Sequence, residues 1–218
     1  MKEFNTGEGK IQEAITYKVE MKVLLWILPR IPRWITPDGL TFLGLFTALG
    51  MLTGYTLAKN ARGFLWLNCL LLVVHWFADS TDGNLARYRE RPRPRYGHYI
   101  DRICDFITLT CISLGLFLFG LPPLNAMILL IGYSLLFVHS LIKQQFVGLM
   151  QLSFGLTGPT EARILLIIVN ILLYFGLKTT VSWTILIAGA IMILMGLLSI
   201  IVTARQLDRE DRANWPNE

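Results

Sequence analysis

The chain has 218 residues, 54% of them hydrophobic and only 16% charged, and its mean hydropathy is +0.53. A soluble domain of this length would carry about 25% charged residues, so the composition excludes that class in favour of an integral membrane protein. The formal charge of +5 comes with no basic-aromatic interleaving in a polar segment, so nucleic acid is not an expected partner.

Residues 11–30 open the chain's interpretable part. Ile11, Ala14, Ile15, Val19, Val23 and Leu24 stand among charged neighbours, and Pro29 and Pro32 follow. The pattern predicts an amphipathic helix lying on the membrane surface. Apolar stretches then recur near 37–58, 63–81, 100–119, 124–148, 161–177 and 181–203, several of them close to the roughly 20 residues that cross about 30 Å of hydrocarbon. Gly120-Leu121-Pro122-Pro123 and Gly155-Leu156-Thr157-Gly158-Pro159 punctuate the series as short connections. The expected fold is therefore all-α: six transmembrane helices preceded by an N-terminal amphipathic surface helix. Residues 1–35 form a cytoplasmic segment, 36–203 the membrane domain and 204–218 a polar cytoplasmic tail.

Six spans put both termini on one side of the bilayer. Only Lys59, Arg62 and Lys178 of the 20 basic residues then fall on the other side. The positive-inside rule accordingly assigns the termini to the cytoplasm. Cys69, Cys104 and Cys111 lack metal-ligand spacing and read as apolar fillers.

The pattern with chemical content straddles the cytoplasmic ends of spans two and three. It runs Asp79-x-x-Asp82-Gly83-x-x-Ala86-Arg87, then Gly97-x-x-x-Asp101-x-x-x-Asp105. Positions 79, 82, 83, 86 and 87 share one helical face, as do 97, 101 and 105. Helix capping would account for lone acids at helix ends, but not for four acids aligned with small residues. A carboxylate within a membrane costs about 2.5–3.5 kcal/mol on insertion scales, so four together need compensation. Two divalent cations balance four carboxylates, and oxygen-only ligands point to Mg²⁺ or Mn²⁺. Such ions polarise phosphoryl oxygens, while a carboxylate not fully engaged can take a proton from an alcohol. Arg87 suits either a phosphate or the positive-inside anchor role.

The segments Asp79-Ser80-Thr81-Asp82-Gly83-Asn84-Leu85-Ala86-Arg87 and Gly97-His98-Tyr99-Ile100-Asp101-Arg102-Ile103-Cys104-Asp105 resemble the signature of the CDP-alcohol phosphotransferases. Every fixed position is filled, and the order and number of spans agree over most of residues 30–203. The resemblance implies a membrane transferase of phospholipid biosynthesis that moves a phospho-alcohol group from a CDP-linked donor to an acceptor alcohol and releases CMP. It implies metal ligation by Asp79, Asp82 and Asp101, and proton abstraction by Asp105, which also touches a metal. Gly83, Ala86 and Arg87 would frame the cytidine nucleotide and its diphosphate. Pro37-Asp38-Gly39-Leu40-Thr41 is similar to the family's Pro-Asn-x-Leu-Thr, with aspartate in place of asparagine at 38, and marks Thr41 as a nucleotide contact. One substrate would be a lipid, and the working form a homodimer.

The acceptor end is open. Thr160-Glu161 resembles the choline and ethanolamine branch, yet branches that use CDP-diacylglycerol and a small alcohol fit equally. Arg163 and Lys143 are candidates for a second anionic subsite or for snorkelling to the interface, and Glu161 and His98 have no assigned role. A divalent-cation carrier and a non-catalytic membrane scaffold are the competing classes. Against the carrier, the acids gather near one face without polar stations toward the other.

Overall fold

The computed structural model describes residues 10–11, 17–147, 150–151 and 159–213. Helix α1 (Tyr17–Ile27) passes through a 3-10 turn, Leu28–Arg30, and is followed by α2 (Pro37–Ala58), α3 (Phe64–Tyr88), α4 (Pro94–Phe119), α5 (Pro123–Val147), α6 (Pro159–Tyr174) and α7 (Lys178–Ala213). The other regular pairing among the described residues is a two-residue parallel match of Lys10–Ile11 with Met150–Gln151.

Local sequence sets the helix ends. Thr36 caps α2 by accepting the Gly39 N–H at 3.0 Å, with Pro37 at the first helical position, where its missing N–H is not needed. α4 stops at Gly120, whose φ of 107° is left-handed backbone that disfavours a side chain. The connection from α3 to α4 turns through Glu90 at φ 58°.

Among the described residues, five helices, α2, α3, α4, α5 and α7, are long and apolar enough to cross a membrane. α6, expected as the fifth of six spans, has 16 residues. Large apolar side chains point outward along these helices, including Phe42, Leu70 and Phe46, the last 77% exposed. In water such a surface would drive association; in lipid it is the solvated face. The protein is thus an integral membrane protein.

α2 packs against both α3 and α4, α6 lies against α3, and α5 bridges α4 and α7. The core runs through Met51 and Tyr55 of α2, Leu65 and Leu72 of α3, Leu116 and Phe119 of α4, Leu173 of α6 and Val181 of α7. Small residues let α5 and α7 approach backbone to backbone. A Cβ on Gly132 would lie 2.9 Å from the Gly189 carbonyl oxygen, the close helix contact that membrane bundles favour.

Helix α1 covers residues 17–27 of the 11–30 stretch expected to form a surface helix. Leu24 and Leu28 are buried, Leu28 against Leu40 and Leu85, while Val19 and Trp26 are exposed. Ala14 and Ile15 of the expected apolar face lie outside the described residues, as do the break at 155–158 and residues 214–218. Residues 204–213, read from sequence as a polar tail, continue α7. Here i,i+4 contacts support the helix: Gln206 to Glu210 at 2.8 Å and Arg212 to Asp208 at 3.0 Å.

Candidate active site

Because α2 touches both α3 and α4, its first turns face the C-terminal half of α3 and the N-terminal half of α4. The cleft between them is lined by Leu40, Thr41 and Gly44 of α2, His75, Asp79 and Asp82 of α3, and Asp101, Cys104 and Asp105 of α4. All four acids picked out by spacing therefore converge. One carboxylate oxygen each from Asp79, Asp101 and Asp105 lies within 4.8 Å of the other two.

Asp82 stands beside this cluster with its oxygens otherwise engaged. One accepts the Thr41 hydroxyl at 2.7 Å, and the other accepts the N–H of Gly83. Thr41, expected as a nucleotide contact, is thus also the partner that orients an acid. Its hydroxyl is 3.2 Å from the Pro37 carbonyl as well.

Like charges this close need counter-charge. Two arginines supply it, and their side chains are each 13% exposed. Arg163 of α6 ion-pairs with Asp79, and Arg102 of α4 sits 3.1 Å from Asp105 and 3.9 Å from Asp101. Arg102 also lies 5.9 Å from the centre of the Phe137 ring. His75 contacts the Thr108 hydroxyl at 3.1 Å.

The rim is tied down by further basic residues. Arg89, at the end of α3, donates to the carbonyls of Ile35 and Pro32 and so fixes the linker into α2. Asp38 ion-pairs with Arg93, which also lies over the Tyr96 ring at 4.5 Å. The hydrogen bond that Arg93 donates to Asp38 raises the Arg93 pKa above its ordinary value.

The remaining sequence candidates sit outside the cleft lining. Gly83 and Arg87 are exposed and Ala86 half-buried on the next turns of α3, with Arg87 donating to the Asn84 side chain at 2.9 Å. Gly97 is exposed, and a Cβ there would meet none of the described residues within 4 Å. His98, Lys143 and Glu161 are half-buried.

Two contributors were not singled out from sequence. Arg102 stands three residues before Asp105, the spacing of helical neighbours, and that was its available signal. Glu20 of α1 reaches Ser80 and Thr160; its signal was an acid one turn before Leu24 on an otherwise apolar face.

The donor set fits a hard divalent cation: three carboxylates on two helices offer closely grouped oxygens, with a fourth carboxylate alongside. The three acids are half-buried, and beside Arg163 and Arg102 their grouped oxygens leave a place that a cation could take.

Comparisons with known proteins give the family of the chain. A family model described as CDP-alcohol phosphatidyltransferase matches residues 34–203. Cholinephosphotransferase 1 of Bos taurus is 29% identical over 171 residues, 73% of this chain and 41% of that protein. CDP-diacylglycerol–serine O-phosphatidyltransferase of Encephalitozoon cuniculi is 31% identical over 132 residues, 56% of this chain and 34% of that protein. The chain spans less than half the length of these curated relatives. The crystal structure of Mycobacterium tuberculosis phosphatidylinositol phosphate synthase with CDP-DAG bound superposes with a TM-score of 0.56 at 22% identity, covering 88% of this chain and 92% of that one. At that identity the likeness is one of fold. Since the family model spans most of the sequence and includes the whole acid-bearing motif, the chain belongs to the CDP-alcohol phosphatidyltransferase family.

Proposed function

We propose that the protein transfers a phospho-alcohol group from a CDP-linked donor to an acceptor alcohol, releasing CMP, in phospholipid synthesis. The observation that carries this is the convergence of the Asp79, Asp101 and Asp105 oxygens within 4.8 Å in a cleft at the ends of α3 and α4. Asp79, Asp82, Asp101 and Asp105 would hold two Mg²⁺ or Mn²⁺ ions. When bound, such ions offset charge on the phosphoryl oxygens and on the leaving phosphate.

The chain's own groups do the rest. Gly83, Ala86 and Arg87 frame the nucleotide on the open side of α3, and the Arg87 guanidinium suits its diphosphate. Asp105 accepts the proton of the acceptor hydroxyl. The oxygen of that hydroxyl forms a bond to the β-phosphorus, the bond from that phosphorus to the bridging oxygen breaks, and CMP leaves with the bridging oxygen and its electron pair. Arg102, hydrogen-bonded to Asp105 at 3.1 Å, holds the carboxylate in place for this role.

We read α6 as a further membrane span, the fifth of six in chain order. Arg163 in its first turns meets Asp79 near the end of α3, and Tyr174 at its close stacks edge-on against Trp66 at the start of α3, with ring centres 5.6 Å apart. α6 therefore runs most of the depth of the bundle, about 24 Å at 1.5 Å per residue. Lys59, Arg62 and Lys178 fall at the end remote from the acids, so the site and both termini face the cytoplasm by the positive-inside rule. α1 would lie on that cytoplasmic surface. One substrate is a lipid, and the acceptor class spans those named by the relatives. The working form is read as a homodimer, for which outward residues such as Phe106, Leu114, Ile131 and Val138 on α4 and α5 offer apolar surface.

The test is incubation of the purified protein with Mg²⁺, a panel of CDP-alcohols and acceptor alcohols, with CMP followed and the lipid product identified by mass. CMP formation that stops with a chelator and returns with Mg²⁺ or Mn²⁺ is the expected result. Metal flux in liposomes without CMP would replace the transferase by a carrier, and neither activity would leave a scaffold.

A further inference from the structure

α1 carries an acid on the face that packs against the bundle. Glu20 stands one turn before Leu24 and two before Leu28, and both leucines are buried. A carboxylate on a packing face is stable only where its oxygens find donors. Glu20 has one for each: Oε1 accepts the Ser80 hydroxyl at 2.5 Å, and Oε2 accepts the Thr160 hydroxyl at 2.7 Å.

These donors belong to two helices that also meet at the acid cluster. Ser80 directly follows Asp79 on α3. Thr160 lies three residues before Arg163 on α6, and Arg163 is the ion-pair partner of Asp79. Glu20, Ser80–Asp79, Arg163 and Thr160 therefore make a closed circuit, with one charged link at the site and one charged bridge from the surface helix. Fastening α1 alone would need a single partner. A carboxylate shared between α3 and α6 instead fixes the separation of the two helices beside the pair that holds Asp79. Hydrogen bonds to a charged acceptor are the short, strong kind suited to that task.

We propose that Glu20 is a positioning residue: through Ser80 and Thr160 it sets the place of the Asp79 carboxylate in the oxygen cluster, and with it the cluster's affinity for a divalent cation. The inference rests on the reading of that cluster as the metal site of a CDP-alcohol transferase. Removing groups that orient metal-ligating carboxylates lowers metal affinity or activity by about 10–100-fold.

The experiment uses the full chain in lipid nanodiscs, with Mn²⁺ binding measured by electron paramagnetic resonance without nucleotide, and the Mg²⁺ dependence of CMP release measured separately. Glu20→Ala is expected to weaken Mn²⁺ binding about tenfold and to raise the half-saturating Mg²⁺ concentration alike, with the KM for the acceptor unchanged. In a Ser80→Ala/Thr160→Val background, Glu20→Ala should add nothing. Wild-type Mn²⁺ affinity in Glu20→Ala overturns the proposal, as does an undiminished effect in the double-variant background. Glu20→Gln, which keeps the shape and one acceptor oxygen, should give a smaller shift in the same direction and supplies the comparison if the alanine variant fails to fold. A wild-type protein that binds Mn²⁺ but releases no CMP from any CDP-alcohol defeats the transferase reading alone, since the Mn²⁺ arm still judges Glu20. A wild-type protein that binds no Mn²⁺ overturns both.

Discussion

The Arg163 guanidinium on α6 is ion-paired with the Asp79 carboxylate on α3, 84 residues earlier in the chain. The contact brings into the site a helix that the aspartate motif does not include. It also supplies positive charge to a cleft in which carboxylates from α3 and α4 crowd together.

Arg163→Ala should therefore destabilise the protein most when no divalent cation is present. The paired side chains are 13% and 25% exposed, and removing one partner of a largely buried pair costs about 3 kcal/mol. A cation bound by Asp79 would restore counter-charge, so saturating Mn²⁺ should recover much of the lost melting temperature. Arg163→Lys keeps the charge without the planar fork and should fall between. Thermal melting of the three proteins with and without Mn²⁺ checks this, and equal deficits in both conditions would count against it.

Asp105 and Asp79 give oxygens to one cluster, yet their proposed duties separate in variants. Asp105→Asn should depress CMP release about 10²–10⁴-fold, the range of a lost general base, while nucleotide binding stays near wild type. Asp79→Ala should instead abolish metal-dependent nucleotide binding. Turnover assays paired with calorimetric titration of a CDP-alcohol distinguish them, and near-normal turnover by Asp105→Asn would remove the base from its assigned place.

Thr41 tests whether an orienting hydroxyl or a direct nucleotide contact matters. Its hydroxyl donates to Asp82 at 2.7 Å, so Thr41→Val, similar in shape but without the donor, should raise the half-saturating Mg²⁺ concentration about tenfold. Thr41→Ser should stay close to wild type. A change confined to the KM for the CDP-alcohol would mean that the hydroxyl serves the nucleotide rather than Asp82.

What could be read from the chain follows from distance along it. Within each of the two motif segments the acids stand about one helical turn apart, so their shared faces were visible, and Gly120 and Pro122-Pro123 marked a connection that the structure turns at φ 107°. Glu20 was hidden because its partners lie 60 and 140 residues away, and its one local signal, an acid on an otherwise apolar face, names neither of them. Arg163 was a candidate for a second anionic subsite or for snorkelling, but its pairing with Asp79 was hidden for the same reason. For residues 204–213 polarity left the secondary structure open: good helix formers and the Arg212–Asp208 pair continue α7 through this polar stretch.

Glycines at two kinds of position should respond in opposite ways to a single methyl. At Gly132 a Cβ would press on the Gly189 carbonyl oxygen at 2.9 Å, so Gly132→Ala should separate α5 from α7 and destabilise by about 1–3 kcal/mol. Among the described residues, a Cβ on Gly97 meets nothing within 4 Å, and one on Gly83 meets only the tips of Arg87 at 3.8 and 3.9 Å. Packing within the chain therefore does not require glycine at either place, and alanine there should stabilise the helix by about 0.5–1 kcal/mol. If these positions are bare so that a nucleotide can approach the backbone, Gly97→Ala and Gly83→Ala should melt at or above the wild-type temperature yet bind CDP-alcohol more weakly. Unchanged affinity in both variants, measured by titration, would mean that the ligand does not pass along this face of α3 and α4.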